Sequence, residues 1–170
     1  PPALDAAITD GQIDVGITLP GFDAQEVDAL QLIVEPLHLT LPAQHPLAAT
    51  RRVDLAALSD DDFIVVQREQ SPILHDSVLH LCAGAGFVPK IGLEVYLQQT
   101  IVTLVAEGLG VAMVPASMQR ARVPGVQFRK LPHAPQIGQY CIWSPGNANP
   151  ALSGFLDVAQ QAGVSRKGAR

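Results

Sequence analysis

The stretch Leu104–Ser117, LVAEGLGVAMVPAS, restricts the possible folds of this chain more than any other. Ile101, Leu104, Val105 and Gly108 recur at helical spacing, which predicts a short helix over 100–107 with Thr100 as its cap and Gly108 as its left-handed stop. Gly110 permits a tight return. The next four residues, Val111-Ala112-Met113-Val114, are apolar on both faces, as in a parallel strand covered on each side by helices. Pro115 lacks an amide hydrogen and holds a helical φ, which suits the first turn of another helix. Helix, reversal, doubly covered strand and helix start make an α/β unit. It contains no nucleophile, metal ligand or phosphate-cradling loop.

The remainder alternates in the same way. Ala3–Asp10 reads as the end of a helix, Gly11 as its stop, and Ile13–Ile17 as a strand that runs into the Pro20-Gly21 turn. Leu30–Leu41, LQLIVEPLHLTL, is a long apolar strand containing Pro36, which cannot donate to a ladder. The strand is expected either to lie at an edge or to break at Pro36; a break is the preferred reading, with the segment serving two sheets. A short amphipathic piece, Val53–Leu58, precedes the strand Phe63–Val66. Ser71 then caps, and Pro72 opens, a helix carrying Leu74, Val78 and Leu81 on one face and ending at Gly84 and Gly86. Strands are expected at Ile91–Tyr96, Val126–Leu131 and Ile137–Trp143. Asn149-Pro150 introduces a last helix with Leu152, Phe155, Leu156 and Ala159 facing inward.

With 170 residues and 48% hydrophobic content, the chain suits one domain or two small lobes with an ordinary core. No apolar run approaches the roughly 20 residues that cross a bilayer, and PPALDAAITDG lacks the basic end and apolar core of a signal peptide. The opening in mid-helix pattern reads as the interior of a longer protein. A net charge of -5 argues against this segment gripping a phosphate backbone. The basic tail Ser165–Arg170 is expected to be a disordered end.

The polar residues offer little catalysis. Asp60-Asp61-Asp62 reads as a solvated turn, because consecutive side chains diverge and no calcium-loop pattern follows. His75 and His80 would lie about 140° apart around a helix, too divergent to share a metal easily. Cys82 and Cys141 are expected to be reduced and buried. No metal, no cofactor and no enzymatic activity are expected. A Cys82 nucleophile with a histidine base is geometrically open but has no motif behind it.

In open parallel sheets, ligands sit beyond the carboxyl ends of strands, where helix starts offer free amides and a positive dipole end. Three such edges are expected: Val66-Gln67 into Ser71-Pro72, Gln98-Gln99 into Thr100, and Val114 into Pro115-Ala116. The strand over 13–17 adds Thr18 and Leu19.

The ordered series GQIDVGI, EPLHLTLPAQHPLA, VDLAAL, a Ser-Pro helix start, CAGAGFVPKI and LVAEGLGVAMVPAS resembles the effector-binding domain of LysR-type transcriptional regulators over Leu4–Gln160. The resemblance implies a periplasmic-binding-protein-like α/β fold. Two lobes would flank a ligand cleft: 1–36 with 132–170, and 37–131. It further implies that the first lobe is incomplete here and that a DNA-binding winged helix-turn-helix is absent. The implied protein is a cytoplasmic regulator forming dimers or tetramers, in which an edge such as Leu30–Val34 could pair. It touches DNA only through the absent domain and has no membrane partner. A solute-binding protein of similar fold is the alternative.

By the same resemblance, the loop after Val66 and the stretch before Thr100 line the cleft. Gln67, Ser71, Gln99 and Thr100 are the expected hydrogen-bonding contacts, and Ile73 and Leu74 the apolar wall. Ser71 and Thr100 would equally serve as caps of their own helices, and Gln67 as a solvated strand end. Many family members carry an arginine near the position of Leu19, so an anion clamp is lost there; Arg68 would either supply the charge instead or be a solvated surface arginine. The effector class implied is a small carboxylate or sulfonate.

Overall fold

The structure, a computed structural model, describes residues 2–50 and 52–167. Its elements are α1 (Pro2–Thr9), β1 (Gly16–Thr18), β2 (Asp28–Pro42), β3 (Asp62–Val66), α2 (Pro72–Gly84), β4 (Lys90–Val95), α3 (Gln98–Ala106), β5 (Ala112–Pro115), β6 (Val126–Lys130), β7 (Gln136–Trp143) and α4 (Leu152–Lys167). Short 3₁₀ turns occupy Pro46–Ala49, Leu55–Leu58 and Ala116–Ala121. The chain divides into two units, Pro1–Val34 with Ile137–Arg170, and Glu35–Gln136.

In the first unit β7 lies between β1 and β2, and pairs antiparallel with β1 from Gly16–Ile142 to Thr18–Tyr140. Ile8, Val27 and Ile142 form its core, with Leu4, Phe22 and Tyr140 packed against them. The strand expected over 13–17 begins only at Gly16. Gly11, at φ +68°, ends α1, and the amides of Gln12 and Ile13 both donate back to the Ala7 carbonyl at 2.9 and 3.1 Å. Those residues close the helix and are not free to pair in a sheet. On α4, Phe155 does not face inward as expected but is 45% exposed. The basic tail, expected to be disordered, is helical as far as Lys167, and 168–170 lie outside the described residues.

The second unit is built on the C-terminal half of β2. That strand pairs antiparallel with β5, from Leu37–Pro115 to Thr40–Ala112, and with β6, from His38–Lys130 to Pro42–Val126. Leu39 and Leu41 enter a core with Phe63, Val65, Val78, Cys82, Val111 and Met113. No break occurs at Pro36, contrary to expectation: β2 runs unbroken from Asp28 to Pro42. The pairs with β5 and β6 begin at Leu37 and His38, past the proline, so its missing amide is not demanded by either ladder.

β5 also departs from the expected arrangement. It is buried throughout, but its ladder is antiparallel; its parallel contact is a single bridge between Val111 and Phe63. Pro115 is the last residue of β5 in extended conformation, and it precedes a 3₁₀ turn and not an α-helix. β3 and β4 form a parallel pair that runs from Asp62–Lys90 to Val66–Val95, with a shift of register between Phe63 and Ile64.

Candidate functional site

β3 and β4 end side by side. Val66 is opposite Val95, and the Gln67 amide extends the ladder by donating to the Val95 carbonyl at 2.9 Å. Each strand then leads into a helix start, so α2 and α3 open at the same edge of the second unit. The loop into α2 is folded tightly, with the Gln70 and Ser71 amides donating to the Gln67 carbonyl at 3.0 and 3.2 Å. His75, one turn into α2, donates from Nδ1 to the Val66 carbonyl at 2.9 Å.

Neither helix start is capped by a side chain. Ser71 stands at the cap of α2, yet its hydroxyl makes no cap bond. The residue is 7% exposed, and Oγ is buried without a hydrogen-bond partner. Because Pro72 has no amide hydrogen, the first amides of α2 belong to Ile73 and Leu74. At α3 the cap is Leu97, and Thr100 is the third residue of the helix, its amide donating to the Leu97 carbonyl at 3.1 Å. Thr100 is therefore not the cap. The helix begins earlier because Gln98 and Gln99 already take helical geometry, which leaves their amides at its positive end.

The eight expected contacts separate by burial. Gln67 is half-buried, and Gln99 and Thr100 are exposed. Ile73 is 38% exposed and can present an apolar wall, whereas the Leu74 side chain is buried in the unit's interior and offers only its amide. Thr18 and Leu19 belong to the first unit: Thr18 is buried at the end of β1, and Leu19 follows it half-buried.

Two expectations about charge are corrected. Arg68 is not a free cation, because it forms a two-point pair with Asp76 on α2 at 2.9 and 3.0 Å. That hydrogen bonding holds the Asp76 carboxyl below the usual carboxylate range. The aspartate run is only partly solvated, since Asp61 meets His45 at 3.2 Å and Asp62 meets Lys90 at 2.9 Å.

The third expected edge, at Pro115-Ala116, is filled from within. The Glu35 carboxylate accepts from the Ser117 amide and, at 2.8 Å, from the Ser117 hydroxyl. Sequence reasoning missed this residue, although a lone acid inside the apolar run LIVEPLHL is a signal that could have revealed it.

A separate cavity of about 350 Å³ lies in the first unit, bordered by Asp10, Asp14, Ser144 and Asn147 among others, and none of the eight residues lines it. Among the described residues, no group of three or more His, Cys, Asp or Glu could hold a metal, and no helix is long and apolar enough to cross a membrane. Both cysteines are free and buried. Burial pushes the Cys82 thiol up to about 11 and the Cys141 thiol in the same direction. The thiolate needed for nucleophilic attack is therefore scarce at neutral pH. Ellman's reagent at pH 7.5 is expected to titrate neither thiol in the native protein and both in urea; fast native labelling would contradict the buried placement.

A sequence profile of the LysR substrate binding domain matches residues 1–163. The HTH-type transcriptional regulator AlsR of Bacillus subtilis is 29% identical over 150 residues, which are 88% of this chain and 50% of AlsR. IlvR of Caulobacter vibrioides is 32% identical over 160 residues, covering 92% of this chain and 53% of its own length. This chain thus spans about half the length of the curated relatives it matches. Among solved structures, the BenM effector binding domain with its effector benzoate has a TM-score of 0.79 at 22% identity, covering 99% of this chain and 78% of that one. The effector binding domain of QuiR in complex with shikimate has a TM-score of 0.76 at 22% identity, covering 96% and 78%. The fold is accordingly the periplasmic-binding-protein-like α/β fold of such domains, and AlsR and IlvR are transcriptional regulators. The profile match over nearly the whole sequence, with the same fold in solved effector-binding domains, means that this chain belongs to the LysR substrate-binding domain family.

Proposed function

We propose that this chain is the ligand-sensing domain of a LysR-type regulator, and that its second unit takes a small carboxylate or sulfonate at the shared edge of α2 and α3. One observation carries the reading: the Ser71 hydroxyl is buried without a partner at a helix start that no side chain caps. A buried hydroxyl left unbonded costs about 1–3 kcal/mol. An acceptor atom from a bound anion offsets that cost and meets the positive end of α2.

The amides of Ile73 and Leu74 complete the α2 side. Those of Gln98 and Gln99 face the same edge from α3. Gln67, Gln99 and Thr100 supply side-chain contacts, and Ile73 the apolar wall. In the whole protein, binding biases a conformational equilibrium toward the arrangement that holds the ligand better and so alters DNA binding by an N-terminal winged helix-turn-helix. The regulator acts in the cytoplasm as a dimer or tetramer.

Isothermal titration with benzoate and shikimate, the ligands of the similar BenM and QuiR domains, provides the test. Ser71→Ala is expected to weaken binding about tenfold, one hydrogen bond's worth. Its melting temperature should hold or rise slightly, because the hydroxyl removed has no partner to lose. Thr100→Val should likewise spare the fold and weaken binding. Undiminished binding by Ser71→Ala would remove the basis of the site.

A further inference from the structure

His75 was set aside in the sequence as a poor metal ligand, but the fold gives it a different place. The residue is 6% exposed, and Nδ1 lies 2.9 Å from the Val66 carbonyl. A carbonyl only accepts, so Nδ1 carries the hydrogen and the neutral ring keeps its lone pair on Nε2. We propose that His75 is a positioning residue of the anion site, holding the 67–71 loop so that Gln67 and Ser71 stay directed at the ligand. The proposal rests on the site reading above.

The bond pattern closes a circuit through the loop. His75 donates through its ring to the Val66 carbonyl and through its backbone amide, at 3.1 Å, to the Ser71 carbonyl. Ser71 in turn donates to the Gln67 carbonyl at 3.2 Å, and Gln67 adjoins Val66. The side chain thereby ties the first turn of α2 to the end of β3, and Ser71 lies on the path between them. The tie is shielded from water, where a hydrogen bond orients its partners best. Without it a buried carbonyl loses its partner, and the helix start that carries Ser71 loses its direct link to the strand.

Three measurements on the unliganded and benzoate-titrated domain decide the matter, using His75→Leu, which keeps bulk without a donor, and His75→Asn, whose amide can donate toward the same carbonyl. Amide hydrogen exchange at Gln70 and Ser71 is expected to accelerate about tenfold in His75→Leu, with Leu39 and Met113 in the core unchanged, and benzoate to bind about tenfold more weakly. His75→Asn should recover both. The nitrogen spectrum of the wild-type ring should show the hydrogen on Nδ1. Unchanged loop exchange in His75→Leu, or a neutral ring with its hydrogen on Nε2, would overturn the tie. Faster exchange with undiminished benzoate affinity would overturn the positioning role, provided that Ser71→Ala still weakens benzoate. Benzoate binding that ignores Ser71 would instead remove the site reading, while the exchange pattern still reports on His75 alone.

Discussion

Gly110→Val is expected to abolish soluble expression of the domain or to lower its stability by about 3–5 kcal/mol, the range of a strained backbone combined with an overpacked interior. Gly110 sits at φ +151°, a conformation open to glycine and strained for any side chain. A Cβ there would press into the Asp62 backbone carbonyl, well inside contact distance, and would crowd the Ile64 side chain. That carbonyl cannot move aside, because it accepts from the Val111 amide at 2.9 Å, and the Val111 carbonyl accepts from the Ile64 amide at 2.8 Å. The substitution therefore strikes the point where β3 meets Val111, the residue before β5, both buried in the unit's core. Gly84→Val is the control: nothing lies within 4 Å of a Cβ at that position. A melt of the two variants against the parent gives the comparison, and a Gly110→Val domain as stable as Gly84→Val would contradict the account.

Glu35→Ala is expected to cost about 2–4 kcal/mol, more than most single substitutions. Glu35 is 9% exposed, and its carboxylate accepts from both the amide and the hydroxyl of Ser117. Hydrogen bonds to a charged group contribute about 1.5–3 kcal/mol, and removing the acceptor leaves two donors where water reaches poorly. The carboxylate also bears on His38, whose imidazole is held below its ordinary value by burial and by Lys130, with Glu35 opposing both. Urea midpoints of Glu35→Ala, Ser117→Ala and the double variant form a cycle. A large coupling between the two positions is expected, and additive effects would show that the contact contributes little.

The local grammar of the chain was legible. Gly11, Gly86 and Gly108 were read as helix stops, and each has positive φ, at +68°, +88° and +78°. Ser71-Pro72 was read as the start of a helix, and α2 begins at Pro72. The helix over 100–107 was placed two residues late because Thr100 looks like a cap, and capping preference ranks Leu97 far below it. At α3 the cap is Leu97, and no side-chain bond marks the start. For the candidate site, Gln67, Gln99 and Thr100 were named on strand ends and helix starts, and the parallel pairing of β3 with β4 sets those two loops beside one another. Leu74 was named as wall, and its side chain is buried, since a residue three places into an amphipathic helix can point inward while its amide stays at the helix end.

What the sequence determined alone is what short-range physics encodes: backbone conformations only glycine adopts, proline's fixed φ, the spacing of apolar residues around a helix, and the ordered motifs that mark the family. The tertiary structure alone decided which strand β5 pairs with and in which direction, because apolar residues on both faces report that a strand is covered and say nothing of its neighbour. It alone decided that Glu35 meets Ser117, 82 residues away, that Arg68 is already paired with Asp76, and that the Ser71 hydroxyl is buried without a partner. Whether a polar group is satisfied depends on atoms brought near it from elsewhere in the chain, and no local pattern contains that information.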